Sequence, residues 1–402
     1  MTKTNHPLHI LCISTYFKGQ DFIKQCKADG NHVYLLTKKK LENEDWPWEC
    51  IDETFYIEDW NERYVKNGIA YTFRSTNFDR FVALDDFDVD RVADLREHFR
   101  IPGMGQTTVR SFRDKLSMRM EADECDIPVP AFSSLFNDED INQFIHNTPS
   151  PWLIKPRDEA SATGIKKIHS GDQLWELIHQ LGDDRHRYLV EKFEPGQVFH
   201  VDSITFDNQV VFSTASGYLD TPFEVAHGGG IFRSQTLLEG SPEEKSLKEL
   251  NARVISSFGL KYGASHTEFI RSNATGKYYF LETSSRVGGA NIAEMVEFAS
   301  GLNLWKEWAR TEDADARNVE YVLPEIQKRC TGIVVSLSRY EYPDYSSFQA
   351  DDILWHMHKP WHIGMIVTGD SPSQVEARLN EISGRIHREF HASLPAPDSS
   401  HD

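Results

Sequence analysis

Cysteine is scarce and scattered in this sequence, with five residues in 402 (Cys12, Cys26, Cys50, Cys125 and Cys330), no CxxC pair and no metal-ligand spacing. That excludes a disulfide scaffold and a zinc module, and points to reduced thiols in a cytoplasmic setting. Basic residues are also in deficit: 43 Lys and Arg stand against 62 Asp and Glu, a formal net charge of −19. A general nucleic-acid or anionic-membrane surface would need a broad basic face, so neither is expected as a partner. Any anion must instead meet a local cluster of cations. Long apolar runs are missing too. The run around Leu8 to Ile13 is too short for a signal-peptide core and reads as a strand, and no stretch approaches the ~20 residues of a membrane span. There is no internal repeat, and low complexity is confined to a short polar tail after Leu394. With 39% hydrophobic and 12% aromatic residues, most of the chain is expected to fold.

A length of 402 residues exceeds what one core usually serves and predicts two or three domains. The pattern opens β-α-β: a buried strand His9 to Ser14, a helix Gln20 to Asp29 stopped by Gly30, and a second strand His32 to Thr37. The first turn, Ser14 to Gly19, has no GxGxxG, so dinucleotide binding gains no support. Helices are expected over Asp88 to Phe99 and, after Pro102-Gly103-Met104-Gly105, over Thr107 to Asp123. The polar, proline-bearing stretch Asn137 to Pro151 reads as a hinge. Short strands then dominate, broken by a helix Asp172 to Leu181 and by a helix from Ser241 to near Gly259 that carries Pro242 and a capping-box Glu244. Strands Ser265 to Ile270 and Lys277 to Thr283 flank a turn, and one helix is expected from Asn291 to about Arg310. A last small unit runs from the strand Thr331 to Leu337 to an amphipathic helix ending near Phe390. The whole reads as α/β followed by α+β, divided into 1–135, 136–325 and 326–402.

The paired strands carry the sharpest chemical signal. A hairpin turning between Asn273 and Gly276 sets Glu268 almost opposite Glu282 on one face. Facing carboxylates, with Cβ atoms about 4.5–5.5 Å apart, repel unless a divalent cation lies between them, and magnesium with a nucleotide phosphate is the obvious guest. A solvated edge hairpin is the alternative, but Phe269, Ile270, Phe280 and Leu281 put apolar residues on both faces. Arg286 follows four residues after Glu282, ahead of Gly288-Gly289, and its planar fork suits a phosphoryl oxygen or a developing oxyanion better than lysine would. A plain surface arginine is the competing reading. Lys155 ends a strand before the small-residue loop Asp158 to Gly164, which includes Ser161, Ala162 and Thr163 and can lay backbone amides over phosphates. No Walker lysine follows Gly164, so this is no P-loop, and such turns are common. The strand end Glu191-Lys192-Phe193-Glu194 can read a purine edge through the backbone of Glu191 and Phe193, with Glu194 or His200 reaching a ribose; an ordinary strand exit explains it equally well.

In their order and spacing these segments resemble the ATP-grasp superfamily over nearly the whole chain. The resemblance implies a Rossmann-like pre-ATP-grasp domain, a central ATP-grasp domain and a small C-terminal α+β lid domain. It implies Lys115, in Arg113-Asp114-Lys115, as a first ATP lysine and Lys155 as a second, with the loop Asp158 to Gly164 closing over the phosphates. Glu191, Lys192 and Phe193 match the adenine hinge, Glu194 and His200 the ribose contacts, Glu268 and Glu282 the metal ligands, and Arg286 the arginine of the acyl-phosphate step. Many members carry asparagine two residues after the second metal glutamate; Ser284 stands there in this chain. Relatives of the L-amino-acid ligase (dipeptide synthase) type also have a small residue at that place.

The implied activity is therefore that of a carboxylate–amine ligase. It would use ATP with magnesium or manganese, take a small carboxylate and an amine such as an amino acid, and release ADP and phosphate; a homodimer is compatible. Two other readings remain at this point, a bicarbonate-using carboxylase of the same superfamily and a nucleotide-binding module without turnover. The loop His227-Gly228-Gly229-Gly230 with Arg233 is either near the second substrate or a surface turn.

Overall fold

The computed structural model describes residues 6–159, 163–221, 225 and 229–393. The opening segment forms a parallel sheet in the order β3-β2-β1-β4, with β1 His9–Ser14, β2 His32–Lys38, β3 Glu53–Ile57 and β4 Arg80–Ala83. Ile10, Leu11, Cys12 and Ile13 are all fully buried, as a strand covered on both faces requires. The helix Gln20–Ala28 crosses from β1 to β2 and packs on the helix Leu304–Arg317, where the rings of Phe22 and Trp308 meet edge to face at 5.2 Å. This contact seats the N-terminal sheet on the rest of the molecule.

Two antiparallel sheets follow. The smaller has the order β5-β8-β6-β7, from β5 Phe132–Ser134, β6 Trp152–Pro156, β7 Lys166–Ile168 and β8 Tyr188–Lys192. Ile141, Phe144, Leu174 and Ile178 of two helices close one of its faces. The larger has eight strands in the order β13-β12-β9-β10-β11-β14-β16-β15. These are β9 Gly196–Phe206, β10 Gln209–Tyr218, β11 Phe232–Thr236, β12 Gly263–Ser272, β13 Tyr278–Ser284, β14 Cys330–Leu337, β15 Ile353–His356 and β16 His362–Gly369. Since β11 pairs with β14, the C-terminal segment continues the sheet of the middle one. The helix Pro242–Phe258, capped by the Ser241 hydroxyl on Glu244 N–H, covers β9 and β10; Pro372–Glu389 covers β14 and β16.

Three expectations of local structure are corrected. The helix expected over Thr107 to Asp123 is two helices, Gln106–Arg113 and Lys115–Glu124, because Asp114 is extended and its carboxylate caps the second while pairing with Arg157. The helix expected from Asn291 is likewise two, Ile292–Ser300 and Leu304–Arg317: Gly301 at φ +78° ends the first and the Asn303 side chain caps the second. The stretch read as a hinge carries a helix, Asp138–Asn147, capped by Asn137.

Candidate active site

The hairpin of β12 and β13 sets Glu268 directly opposite Glu282. It does so through a bulge: Phe269 pairs with Phe280 and Glu268 with Glu282, leaving Leu281 as the extra residue. Its carbonyl accepts from the Arg119 guanidinium, which is fully buried beneath the hairpin. A bulge re-aims the side chain that follows it, and here that side chain is Glu282.

Both glutamates line a cavity of about 690 Å³, within the size range of nucleotide and small-ligand sites. Lys115 Nζ lies 2.9 Å from Glu282 Oε2. Burial would raise the Glu282 pKa, but Lys115, then Lys155 and Arg119, hold it down at about 2. Glu268 is held from the other side: Tyr218 Oη donates to its Oε1 at 2.7 Å, and His266 Nε2 stands 3.6 Å from the same oxygen. Behind them runs a buried chain. His266 Nδ1 is 2.9 Å from Asp202 Oδ1, His200 Nδ1 is 2.7 Å from Asp202 Oδ2, and His200 Nε2 is 2.7 Å from Ser234 Oγ. Burial disfavours the His266 imidazolium, yet the Asp202 carboxylate, helped by Glu268, lifts its pKa to about 9. The ligand atoms of His200, Asp202 and His266 lie within 4.8 Å of one another, a spacing that could also hold a metal ion; hydrogen bonds already account for it.

Two opposed carboxylates, one fixed through its Oε1 and one ion-paired, with Lys115 and Lys155 beside them, form a donor set of the hard oxygen type that suits magnesium carrying nucleotide phosphates. Lys155, on the cavity wall, ion-pairs with Glu191, whose other oxygen takes Nε and Nη2 of Arg119 at 3.0 and 2.8 Å. Lys115 and Lys155 thus reach the cavity from different elements. Arg157 fastens the loop base to the helix that starts at Lys115: its carbonyl accepts the Lys115 backbone N–H at 2.8 Å, and its side chain pairs with Asp114. Thr163 lines the cavity, and a Cβ on Gly164, at φ +71°, would stand 2.9 Å from Pro156 Cγ. Ser161, Ala162, His227 and Gly228 lie outside the described residues. Arg233 is engaged by Asp220 through Nε and Nη2.

The strand-end residues are partly corrected. The Glu191 backbone lies between β5 and β6 and not on a free edge, so a base cannot dock along it. The Phe193 N–H is taken too, donating to Pro151 O at 3.0 Å. Lys192, Phe193 and Glu194 line the cavity, with Lys192 Nζ 2.5 Å from Glu194 Oε1 and Lys167 Nζ 3.6 Å above the Phe193 ring. His200 does not line it. Fully buried, with both ring nitrogens hydrogen-bonded, it is withdrawn as a sugar contact, leaving Glu194.

Arg286 lines the cavity beside Ser284 and donates from Nη1 to Val287 O at 2.9 Å. Its Nε faces Asp86 Oδ1 at 3.8 Å, and Arg113 Nη1 faces Asp86 Oδ2 at 3.9 Å. The sequence alone assigns no role to Asp86, Arg113, Arg119, Tyr218 or His266, although Arg113 stands in the Arg113-Asp114-Lys115 segment. Each is an ordinary charged or aromatic residue in its own segment, and only the folded chain shows that they converge.

No protein-family model matches this chain. Among curated proteins it is 26% identical over 217 residues to D-alanine–D-alanine ligase B of Pseudomonas syringae pv. tomato, covering 52% of this chain and 66% of that one. It is 23% identical over 179 residues to the D-alanine–D-alanine ligase of Neisseria gonorrhoeae, covering 44% and 58%. The match thus spans less than two thirds of these relatives' length. Among solved structures, an L-amino acid ligase from Bacillus licheniformis superposes with a TM-score of 0.75 at 17% identity, over 96% of this chain and 99% of that one. The biotin carboxylase domain of 2-oxoglutarate carboxylase from Hydrogenobacter thermophilus, in complex with MgADP and bicarbonate, gives 0.71 at 14% identity, over 96% and 91%. The fold of this chain is the ATP-grasp fold.

Proposed function

We propose that this chain is an ATP-dependent carboxylate–amine ligase that forms an amide or peptide bond through an acyl phosphate, with release of ADP and phosphate. The observation that carries the reading is the convergence, on one cavity, of the opposed pair Glu268 and Glu282 with Lys115, Lys155 and Arg286. A module that only bound nucleotide would have less need of an arginine beside the metal carboxylates. The names of the relatives, ligases joining amino acids, support amino acids as the substrate class.

In this reading Glu268 and Glu282 hold magnesium, which supplies charge neutralisation and a template for the phosphates. Lys115 and Lys155 hold the nucleotide phosphates, and the apolar wall of Met118, Leu153 and Ile270 receives the base. The substrate carboxylate attacks the γ-phosphorus and ADP leaves, giving an acyl phosphate whose carbonyl oxygen Arg286 steadies. The amine then adds to the acyl carbon and phosphate departs. Positioning and preorganised charge do most of this work. The test is a screen of amino-acid pairs for ATP-dependent phosphate release, with the product identified by mass spectrometry. Amide formation dependent on Mg²⁺ supports the reading, and phosphate release driven by bicarbonate without amide overturns it in favour of a carboxylase.

A further inference from the structure

The turn after β4 carries three acidic residues, and the fold treats one of them differently. Asp85 is fully buried and fully engaged: it accepts Phe87 N–H at 3.0 Å and pairs with Lys18 at 2.6 Å. Asp88, equally buried, accepts Thr15 N–H at 2.7 Å and the Thr15 hydroxyl at 2.9 Å, and pairs with Arg91 at 3.1 Å. Asp86 is 7% exposed and lines the cavity, yet its Oδ1 has no hydrogen-bond partner among the described residues. Its nearest charges are the guanidinium groups of Arg286 and Arg113, at 3.8 and 3.9 Å, about an ångström beyond a charge-assisted hydrogen bond. The Nε atoms of both arginines are likewise buried without a hydrogen-bond partner among the described residues. A buried carboxylate and two half-buried guanidinium groups that stop short of one another keep hydrogen-bonding capacity for something that enters between them.

The chemistry of that guest follows from the charges. Asp86 repels phosphate, and Lys115 and Lys155 already serve the polyphosphate end, so a carboxylate on this wall calls for a cationic donor. An ammonium, with three donors, matches it. Arg113 beside it, held over the Phe87 ring at 5.0 Å, offers a planar fork to a carboxylate. We infer that Asp86 and Arg113 form the seat of the amine substrate and that this substrate is a zwitterionic α-amino acid, its ammonium on Asp86 and its carboxylate on Arg113. Arg286, on the other oxygen of Asp86, stays with the acyl phosphate, so the seat holds the nitrogen next to the acyl carbon; the ammonium gives one proton to the Asp86 carboxylate and the freed amine attacks, with phosphate as the leaving group. The alternative is that Asp86 only spaces the two arginines, in which case the amine's own carboxylate does not matter.

The inference rests on the ligase reading, and binding separates the two. The protein, saturated with Mg²⁺ and a non-hydrolysable ATP analogue, is titrated calorimetrically with each of the twenty amino acids and with their α-amides. Asp86→Asn and Arg113→Gln are tested alongside, with Arg113→Lys as a milder change and circular dichroism as the folding check. At least one amino acid is expected to bind, with affinity falling about tenfold or more for its α-amide, in Asp86→Asn and in Arg113→Gln, and less in Arg113→Lys. Equal affinity for acid and amide, wild-type affinity in folded Asp86→Asn, or no amino acid bound at all overturns the seat. Should the chain form amides while Asp86→Asn and Arg113→Gln keep wild-type KM, the seat fails and the ligase reading stands. Should amino acids bind with the expected losses while no amide forms, the ligase reading fails and the seat stands.

Discussion

Lys115 Nζ and Glu282 Oε2 meet at 2.9 Å across the cavity, so a proposed phosphate-binding lysine and a proposed metal ligand neutralise each other when no nucleotide separates them. Entry of Mg²⁺ and ATP would exchange that pair for two better ones, Lys115 with phosphate and Glu282 with the cation. Glu282→Gln keeps the shape and removes the charge. Mn²⁺ affinity measured by electron paramagnetic resonance with an ATP analogue present is expected to fall, and Mg²⁺-dependent phosphate release to fall by about 10² or more. Full activity with unchanged Mn²⁺ affinity would remove Glu282 from the metal site.

Arg286 acts, in the proposed reaction, on charge that develops at the acyl phosphate. Deleting such a donor typically costs about 10²–10³ in turnover, whereas a ground-state contact shows mainly in affinity. Arg286→Ala is expected to depress product formation far more than it weakens ATP binding by calorimetry. Proportional losses in both would make Arg286 a binding contact and favour the reading without turnover.

Arg119 is a structural counterpart to these groups. Fully buried, it holds Glu191 on one side and the bulged Leu281 carbonyl on the other. Arg119→Met would leave Glu191 with Lys155 alone and the carbonyl without its donor, an expected loss of about 3–5 kcal/mol in urea denaturation. Burial alone would raise the Glu191 pKa, but Arg119 and Lys155 pull it below the ordinary value. A carboxylate with a depressed folded pKa contributes stability at neutral pH and loses it as the medium acidifies. The gap between wild type and variant is therefore expected to be widest near neutrality and to narrow below about pH 4. A gap that does not change with pH would mean the charge pair is not the source of the loss.

Much of this molecule was legible because local rules and tertiary structure agree. The apolar strands and the Ser241 cap follow from periodicity and capping. The Glu268–Glu282 opposition depends on the bulge at Leu281, which parity does not foresee: in a regular hairpin Glu268 would face Leu281 and Glu282 would point to the other side of the sheet. The helix breaks are set by short-range signals that the longer amphipathic pattern overlies: Asp114 as a cap inside one run, and Gly301 followed by Asn303 in another. His200 misled because alternation places it on β9 without saying how deep that strand lies in an eight-stranded sheet. Asp86 and Arg113 were beyond reach for another reason. Their partner Arg286 is some two hundred positions away in sequence, and no local pattern encodes that meeting.

The last prediction concerns the seat of the Arg286 loop. A Cβ added to Gly288 would stand 2.8 Å from Asp202 Oδ1 and 3.0 Å from His266 Nδ1, so the loop just past Arg286 rests directly on the buried pair that stands behind Glu268. Neither neighbour can yield cheaply. Asp202 is fully buried and hydrogen-bonded to two imidazoles, and His266 is held between Asp202 and Glu268. Gly288→Ala is therefore expected to lift the loop by a fraction of an ångström and carry the Arg286 guanidinium away from the reacting oxygen. Misplacement of about 1 Å can cost on the order of 10² in rate. ATP binding, in which Lys115 and Lys155 on other elements are proposed to act, should change little, and the fold should survive because the loop that follows Arg286 can take up the shift. Gly289, beside which no atom lies within 4 Å of an added Cβ, is the internal control: Gly289→Ala should retain far more activity than Gly288→Ala. Equal losses in the two variants would trace the effect to loop flexibility, and the contact with Asp202 and His266 would have no part in positioning Arg286.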